Sequence, residues 1–443
     1  MTHVELTAEQ EQAIERAVRW QRNGSVGWFR LDGPPGSGKT FMSHQLRKAL
    51  SITSPVLTPT RRAALVAVKH GVTEAKSYHS ELFKPSNEIE KEYHLKKMEL
   101  DVLRGTHGDS SYEVKTLSEE VTDLQKKLQS GLAFIRASTP FDKYSIDEVS
   151  MIGDNTKVRI TGDEENPPAF VAVGDRFQLP PISDTEEWLQ AEPQASLTKI
   201  MRQSEGSAII RMAFHLRTGG SLTQVDEQDL KIFRDIDPAL ALGRFYETLD
   251  AGGKIIVPTN KQRKHANRLA RSYFSKPFEC PLVGDVITCV HNWRDVLVNG
   301  EDYEVLKIKA SRKYGRYDLT VKDSAGQIIE ATDVHTYHFQ GFFINRDGEL
   351  HGSTWSVNNF PYTNKIDIRH ALLDRGTPQF DFSYAYTAHK AQGGQWSKVY
   401  VIADGAEYVC QTYPKERWYM TALTRGQEDV FVDLDGNVLR HRD

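Results

Sequence analysis

Cysteine is scarce: Cys280, Cys289 and Cys410 are the three in 443 residues. So few thiols, so far apart, exclude a disulfide framework and a zinc quartet, and reduced thiols in core positions are expected. Long apolar runs are missing too. No stretch reaches the roughly 18 uninterrupted apolar residues that a membrane span needs, and Met1 to Glu5 lack the basic and then apolar pattern of an export signal. A cytoplasmic protein without a membrane partner is expected. Nor does one sign of charge dominate, since 56 Lys and Arg against 60 Asp and Glu leave a net charge of −4. As a whole-chain average this disfavours a nucleic-acid partner, because attraction to phosphate backbones is largely electrostatic. What is present is a globular composition, 39% hydrophobic and 26% charged, which excludes disordered and fibrous classes. At about 100 to 200 residues per domain, the length implies roughly two to four compact units.

Leu6, Ala13, Ile14, Ala17 and Val18 mark one apolar stripe, so Leu6 to Arg22 is expected to be a helix with Thr7 as its N-cap. Val26, Trp28, Phe29 and Leu31 then form a short apolar run that ends in a Gly-rich turn, followed by helical periodicity from Lys39 to Leu50. The alternation recurs at Ser54 to Thr58 with Arg61 to Lys69, at Tyr144 to Ile146, at Phe170 to Val173, at Lys254 to Pro258 with Gln262 to Tyr273, and at Lys398 to Ile402. Apolar strands separated by helices indicate an α/β fold with mostly parallel sheet, here in two sets.

Two segments break this alternation. Between Asn87 and Gln129, Val114, Leu117, Val121, Leu124 and Leu128 recur at spacings of 3, 4, 3 and 4, the seam of two heptads. Ile89, Tyr93, Leu100 and Leu103 are compatibly spaced, and Arg104 to Ser111 is turn-like, so an antiparallel helical hairpin is expected. From about Val283 to Ile368, runs such as YEVLKIKA and YDLTVKD alternate with turns at Asn299-Gly300 and Gly315, which indicates a small β-barrel-like insert.

GPPGSGKT, from Gly33 through Pro34, Pro35, Gly36, Ser37, Gly38 and Lys39 to Thr40, has the spacing of a phosphate-binding loop and lies between an expected strand and helix. Glycines let backbone N–H groups close around a phosphate, Lys39 reaches the β- and γ-phosphates, and Thr40 ligates Mg²⁺. ATP and Mg²⁺ are therefore the expected ligands. Such a site also needs a metal carboxylate and a group that polarises water. YSIDEVSM supplies Asp147 for the metal and Glu148 for the water at the end of a β-like run.

GDRFQLPP (Gly174 to Pro181), LTKIMRQSEGS (Leu197 to Ser207), YAYTAHKAQGGQW (Tyr384 to Trp396) and YMTALTRG (Tyr419 to Gly426) follow in order. With the two preceding motifs the set resembles superfamily 1 helicases, and most closely the RecD and phage Dda branch, superfamily 1B. The resemblance implies two RecA-like P-loop NTPase domains with a helical-hairpin insert in the first and an SH3-like β-rich insert in the second. Their expected limits are 1–85 with 131–203 (1A), 86–130 (1B), 204–282 with 369–443 (2A) and 283–368 (2B). It further implies a monomeric enzyme that translocates 5′ to 3′ on single-stranded DNA and unwinds forked or tailed duplex DNA in replication, recombination or repair. By the same resemblance Gln10 recognises adenine, and Gln178, beside Asp175, senses the γ-phosphate. Arg202 and Arg425 stabilise charge on that phosphate, as arginine fingers do. Thr58, Pro59, Thr60, Ser77, His79, Thr387 and His389 contact DNA. Lys390, Gln392 and Gly393 complete their motif, Gln392 bridging the nucleotide and DNA sites. Helix capping is the competing role for the hydroxyls. Two rival activities stand beside this one: an RNA helicase, against which the lack of a Cys/His zinc region counts, and an ATPase that loads or remodels complexes without unwinding.

Local charge departs from the average. Lys254, Lys261, Arg263, Lys264, Arg268, Arg271 and Lys276 are the charged residues between Lys254 and Phe278, with no acid among them, and part of this run is expected to face phosphates. The hairpin holds ten acids and seven bases; it is either a strand-separating wedge or an arm that binds replication or recombination proteins. Tyr314, Tyr317, Tyr337, Phe339, Phe342, Phe343 and Trp355 in the β-rich insert would stack bases or fill its core.

Overall fold

The computed structural model describes residues 6–69, 71–85, 87–107, 111–129, 134–136, 141–162, 165–181, 184–199, 206–293, 296–313, 315–344, 349–352, 365–374 and 376–440. Two six-stranded sheets organise it. The first runs Ala75–Ser77, Val56–Thr58, Lys143–Ile146, Ala169–Gly174, Trp28–Asp32 and Ala195–Ser196, all parallel. The second runs Ala385–Thr387, Lys254–Val257, Trp396–Ile402, Gly426–Asp433, Leu230–Phe233 and Val225–Asp226, parallel except for the last pair. Every residue of Ala169–Gly174 is buried, as befits a strand covered on both faces by helices. Thr7 caps the helix Ala8–Arg22 in a reciprocal capping box with Gln10.

The hairpin forms from Asn87–His107 and Tyr112–Gln129, with Leu100, Val114, Leu117 and Val121 buried in its seam. Lys96 Nζ bridges the two helices to Glu120 at 2.8 Å. At its base lies an antiparallel ribbon of Phe83–Pro85 with Phe134–Arg136. The sequence did not announce this ribbon, since two isolated strands of three residues carry little pattern.

The β-rich insert is a five-stranded antiparallel sheet, in the order Ile328–His335, Arg316–Lys322, Asp302–Ala310, Val286–Cys289 and Phe380–Phe382. Its last strand lies in the segment expected to belong to the second lobe. Phe380 and Phe382 are buried among Ile287, Tyr303 and Leu319, in the insert's own core, which draws the strand there. Phe339 joins that core, and Phe342 packs on Ile368 and Leu372; neither ring is presented to a base. Tyr314 and Trp355 lie outside the described residues.

The basic run is also corrected by the fold. Arg263 and Lys264 are buried and converge on Asp381, Arg271 pairs with buried Asp285, and Lys276 reaches Asp285 at 2.5 Å. Lys254 Nζ donates to the Ser383 carbonyl at 2.6 Å. The two cations hold the Asp381 carboxyl far below the ordinary carboxylate range against its burial. Only Lys261 among the seven is exposed. Arg263, Lys264, Arg271 and Lys276 thus join the second lobe to the β insert rather than facing phosphates.

Candidate active site

The phosphate loop is shaped before any ligand arrives. Gly36 and Gly38 have φ of +77° and +84°, a left-handed backbone open to a residue without Cβ, and Gly38 leads into the helix Lys39–Ala49. Ser37 Oγ donates to the Pro34 carbonyl at 2.8 Å, and Lys39 Nζ donates to the same oxygen at 2.9 Å. The lysine thus rests on an acceptor that a phosphate oxygen can replace.

Asp147 follows the adjacent strand Lys143–Ile146, and its N–H continues the ladder by donating to Leu57 O at 2.9 Å. Its Oδ1 accepts the Glu148 N–H at 2.9 Å. Burial, reinforced by the Glu148 charge, pushes the Asp147 carboxyl up to about 6, a condition that a bound cation relieves. Glu148 itself has φ of +55°, uncommon for a residue with a side chain and of the kind that collects at functional sites. Among the described residues no three His, Cys, Asp or Glu side chains cluster as a ready-made metal site. The donor set suits Mg²⁺, which binds through one or two protein oxygens plus phosphates: Asp147 and Thr40 would hold it.

These residues line a cleft of about 620 Å³ between the lobes. Lys39, Thr40, Asp147, Glu148 and Gln178 form one wall, and Gly393, Thr424 and Arg425 come from the other. Gln178 is 5% exposed, and its buried Oε1 accepts no hydrogen bond. It is an acceptor left for a ligand or a water. Arg425 is held by three bonds within the second lobe: Nε to Thr421 O at 2.9 Å, Nη1 to Gly394 O at 3.1 Å and Nη2 to Thr424 Oγ1 at 3.0 Å. Gly393 has φ of +75°, and a Cβ there would sit 3.2 Å from Ala63 Cβ of the first lobe, so glycine permits the lobes to meet. Gln392 is buried and crosses the cleft, donating to Leu179 O at 3.4 Å.

Other sequence-predicted residues fall elsewhere. Gln10 is buried at the helix start, its Oε1 accepting the Thr7 N–H at 3.0 Å; the cleft wall given above does not include it. Arg202 lies outside the described residues. Asp175 is fully buried and paired with Arg217. The Thr58 hydroxyl donates to Thr60 O at 2.8 Å and is buried. Thr60, Ser77 and Thr387 each accept a backbone N–H as helix caps, from Ala63, Ser80 and Lys390. Pro59 follows directly after the strand Val56–Thr58. The His79 ring lies 4.2 Å from the Tyr78 ring, tilted by 32°, and its burial pushes the imidazole down to about 4. His389 lies 6.3 Å from the Tyr413 ring. Topology gathers these positions all the same. Thr58 and Ser77 end two neighbouring strands at one edge of the first sheet, and Thr387 ends the corresponding edge strand of the second. Ligands of parallel sheets bind outside such carboxyl ends.

Sequence reasoning missed Arg62, Arg217, Arg417 and Thr421, which all cross between lobes. Arg62 Nη1 donates to Gly300 O at 2.7 Å, and its guanidinium lies 5.0 Å from the Tyr386 ring and 5.2 Å from the Trp396 ring. Nothing in a single arginine's neighbours along the chain signals a partner hundreds of residues away.

Residues 5–231, just over half of the chain, match the family described as AAA domain. The chain belongs to this family. Over 312 residues it is 24% identical to the ATP-dependent RecD2 DNA helicase of Deinococcus radiodurans, covering 66% of this chain and 36% of that protein. The chain thus spans about a third of the curated relative's length. Among solved structures it is similar to Bacteroides Pif1 bound to single-stranded DNA, with 16% identity, 97% of this chain and 92% of that one covered, and a TM-score of 0.49. The Pif1 helicase of Candida albicans is similar at 16% identity, 97% and 94% coverage, and a TM-score of 0.46. For this AAA-domain chain the phosphate loop and its acidic partners fall inside the matched residues, whereas Arg425 lies beyond them.

Proposed function

We propose that this chain is an ATP-dependent DNA helicase of superfamily 1B, a cytoplasmic monomer that moves 5′ to 3′ along single-stranded DNA and opens forked or tailed duplexes. One observation carries the reading: a single cleft collects Lys39, Asp147, Glu148 and Gln178 from one sheet and Arg425 from the other. A nucleotide gripped from both sides makes lobe closure depend on its γ-phosphate, the arrangement a translocating motor requires.

In this reading Lys39 and the loop N–H groups hold the phosphates and Gln10 holds adenine. Glu148 accepts a proton from the water that attacks the γ-phosphorus as the bond to the bridging oxygen of ADP breaks, and Gln178 Oε1 orients that water. Arg425, with Arg202, balances the charge that develops. Held by Thr40 and Asp147, Mg²⁺ would neutralise phosphate charge. Thr58, Pro59, Thr60, Ser77, His79, Thr387 and His389 form the DNA track along the corresponding sheet edges. The domain limits follow the resemblance, with the β insert extended to Phe382 by its last strand. Leu95, Met98 and Val102 are 66 to 68% exposed on Asn87–His107, which favours a replication or recombination protein docking on the hairpin over a wedge. Deleting residues 87–129 is expected to leave unwinding intact; its loss would restore the wedge. No helix among the described residues is long and apolar enough to cross a membrane.

The deciding experiment measures ATP hydrolysis with single-stranded DNA or RNA, then strand separation on duplexes with 5′ or 3′ tails. Stimulation by DNA and opening of the 5′-tailed substrate are expected. Stimulation by RNA alone, stimulation without unwinding, or no response to nucleic acid would each overturn the reading.

A further inference from the structure

The segment Asp175 to Leu179 follows the strand Ala169–Gly174 and carries Gln178 into the cleft. Much of what fixes it comes from the opposite lobe. Arg217, at the end of Ala208–Arg217, pairs with the Asp175 carboxylate and lies 4.3 Å from the Phe177 ring. Arg417 Nε donates to Gln178 O at 2.6 Å, Thr421 Oγ1 accepts the Leu179 N–H at 3.2 Å, and Gln392 reaches Leu179 O. The other two guanidinium nitrogens of Arg417 fork onto Glu186, at 2.5 and 2.8 Å. A bidentate fork fixes the plane of the guanidinium, and in that plane Nε points at Gln178.

Arg417 and Thr421 are one turn apart on the helix Lys415–Leu423, and the Thr421 carbonyl holds Arg425 Nε. One rigid helix therefore fixes the backbone of Gln178 and aims Arg425 at the same cleft. We propose that Arg417, supported by Arg217, is a positioning residue that sets Gln178 from the opposite lobe, so that Gln178 and Arg425 reach their working places in a single closing movement. This rests on the hydrolase reading above, which assigns Gln178 its role. Arg417 touches Gln178 and Glu186 rather than the nucleotide and acts only through them.

The test uses the full chain in two measurements. In DNA-stimulated hydrolysis, Arg417→Ala is expected to lower kcat about tenfold or more while changing KM for ATP less than about twofold. Glu186→Gln, which frees the fork without touching Gln178, should lower kcat by about threefold in the same sense. In a Gln178→Ala background Arg417→Ala should add less than about twofold, because residues that act through one another are not additive. In amide hydrogen exchange, which needs no turnover, the Leu179 N–H should exchange about tenfold faster in Arg417→Ala. Should Arg417→Ala not fold, Glu186→Gln carries both comparisons. Equal losses in the Gln178 and Gln178→Ala backgrounds, or unchanged exchange at Leu179, would overturn the proposal. A parent protein that does not hydrolyse ATP would sink the functional reading instead, and the exchange measurement would still decide this one.

Discussion

Arg271 and Asp285 pair with neither side chain exposed to solvent, tying the helix Asn260–Tyr273 to the root of the β insert. Arg271 Nε also donates to Pro277 O at 2.8 Å, and its guanidinium lies 4.2 Å from the Phe382 ring. Removing one partner of a buried pair leaves the other charge uncompensated, which costs about 3 to 5 kcal/mol. Arg271→Ala is expected to lower stability by about that amount, read as a shift in the urea midpoint, whereas exposed Lys261→Ala should stay within about 0.5 kcal/mol. A variant at Arg271 that weakens DNA binding with its stability intact would show that this base faces phosphates after all.

Lys39→Ala should reduce ATP turnover about a thousandfold or more, since the ammonium beside Pro34 is the group poised to transfer to a phosphate. Steady-state hydrolysis at saturating ATP checks it. Turnover within about tenfold of the parent would remove Lys39 from the phosphate site.

Glu148→Gln keeps the side chain's size and its left-handed backbone but not the base. ATP should still bind with affinity within a few-fold of the parent, and hydrolysis should slow by about 10² to 10⁴. Nucleotide binding by fluorescence and single-turnover hydrolysis separate the two effects. A parental rate would transfer the role of base to another group.

Two histidines set an acid limit. Burial, with the nearby Arg159 charge, pushes His79 down to about 4, and burial with Arg316 does the same to His335. Each folded-state value lies below the unfolded value of 6.5, so the neutral ring is the folded form. Its contribution is complete above pH 6.5 and is lost as pH falls from 6.5 through about 4. The urea midpoint should therefore decline across that window, and His335→Gln should flatten the decline if the variant folds. A midpoint constant from pH 7 to 4.5 would contradict the burial of these rings. Carboxylates held low, such as Asp381, release their contribution mainly at more acid pH.

The sequence by itself determined whatever depends on neighbours along the chain. The phosphate loop, the Asp147-Glu148 pair and the hairpin seam were legible because loop geometry and helical spacing are local properties. The α/β alternation was legible for the same reason, since burial on one face or two leaves a period in the residues. Partnership across the chain left no such mark. Part of a run of seven bases without an acid read as facing phosphates, because Asp285 and Asp381 lie outside that run and meet it only when the insert's strands pair. Phe380–Phe382 read as part of the second lobe until Val286–Cys289 supplied its neighbour. The hydroxyls of Thr60, Ser77 and Thr387 read as phosphate contacts with capping as the competing role, and in the fold each oxygen accepts a backbone N–H, which does not exclude its O–H from donating to a phosphate. Only the tertiary structure decided that Arg417 and Arg217 hold the Gln178 segment from the other lobe. An ion pair's strength depends on distance and desolvation, and both are created when the lobes come together.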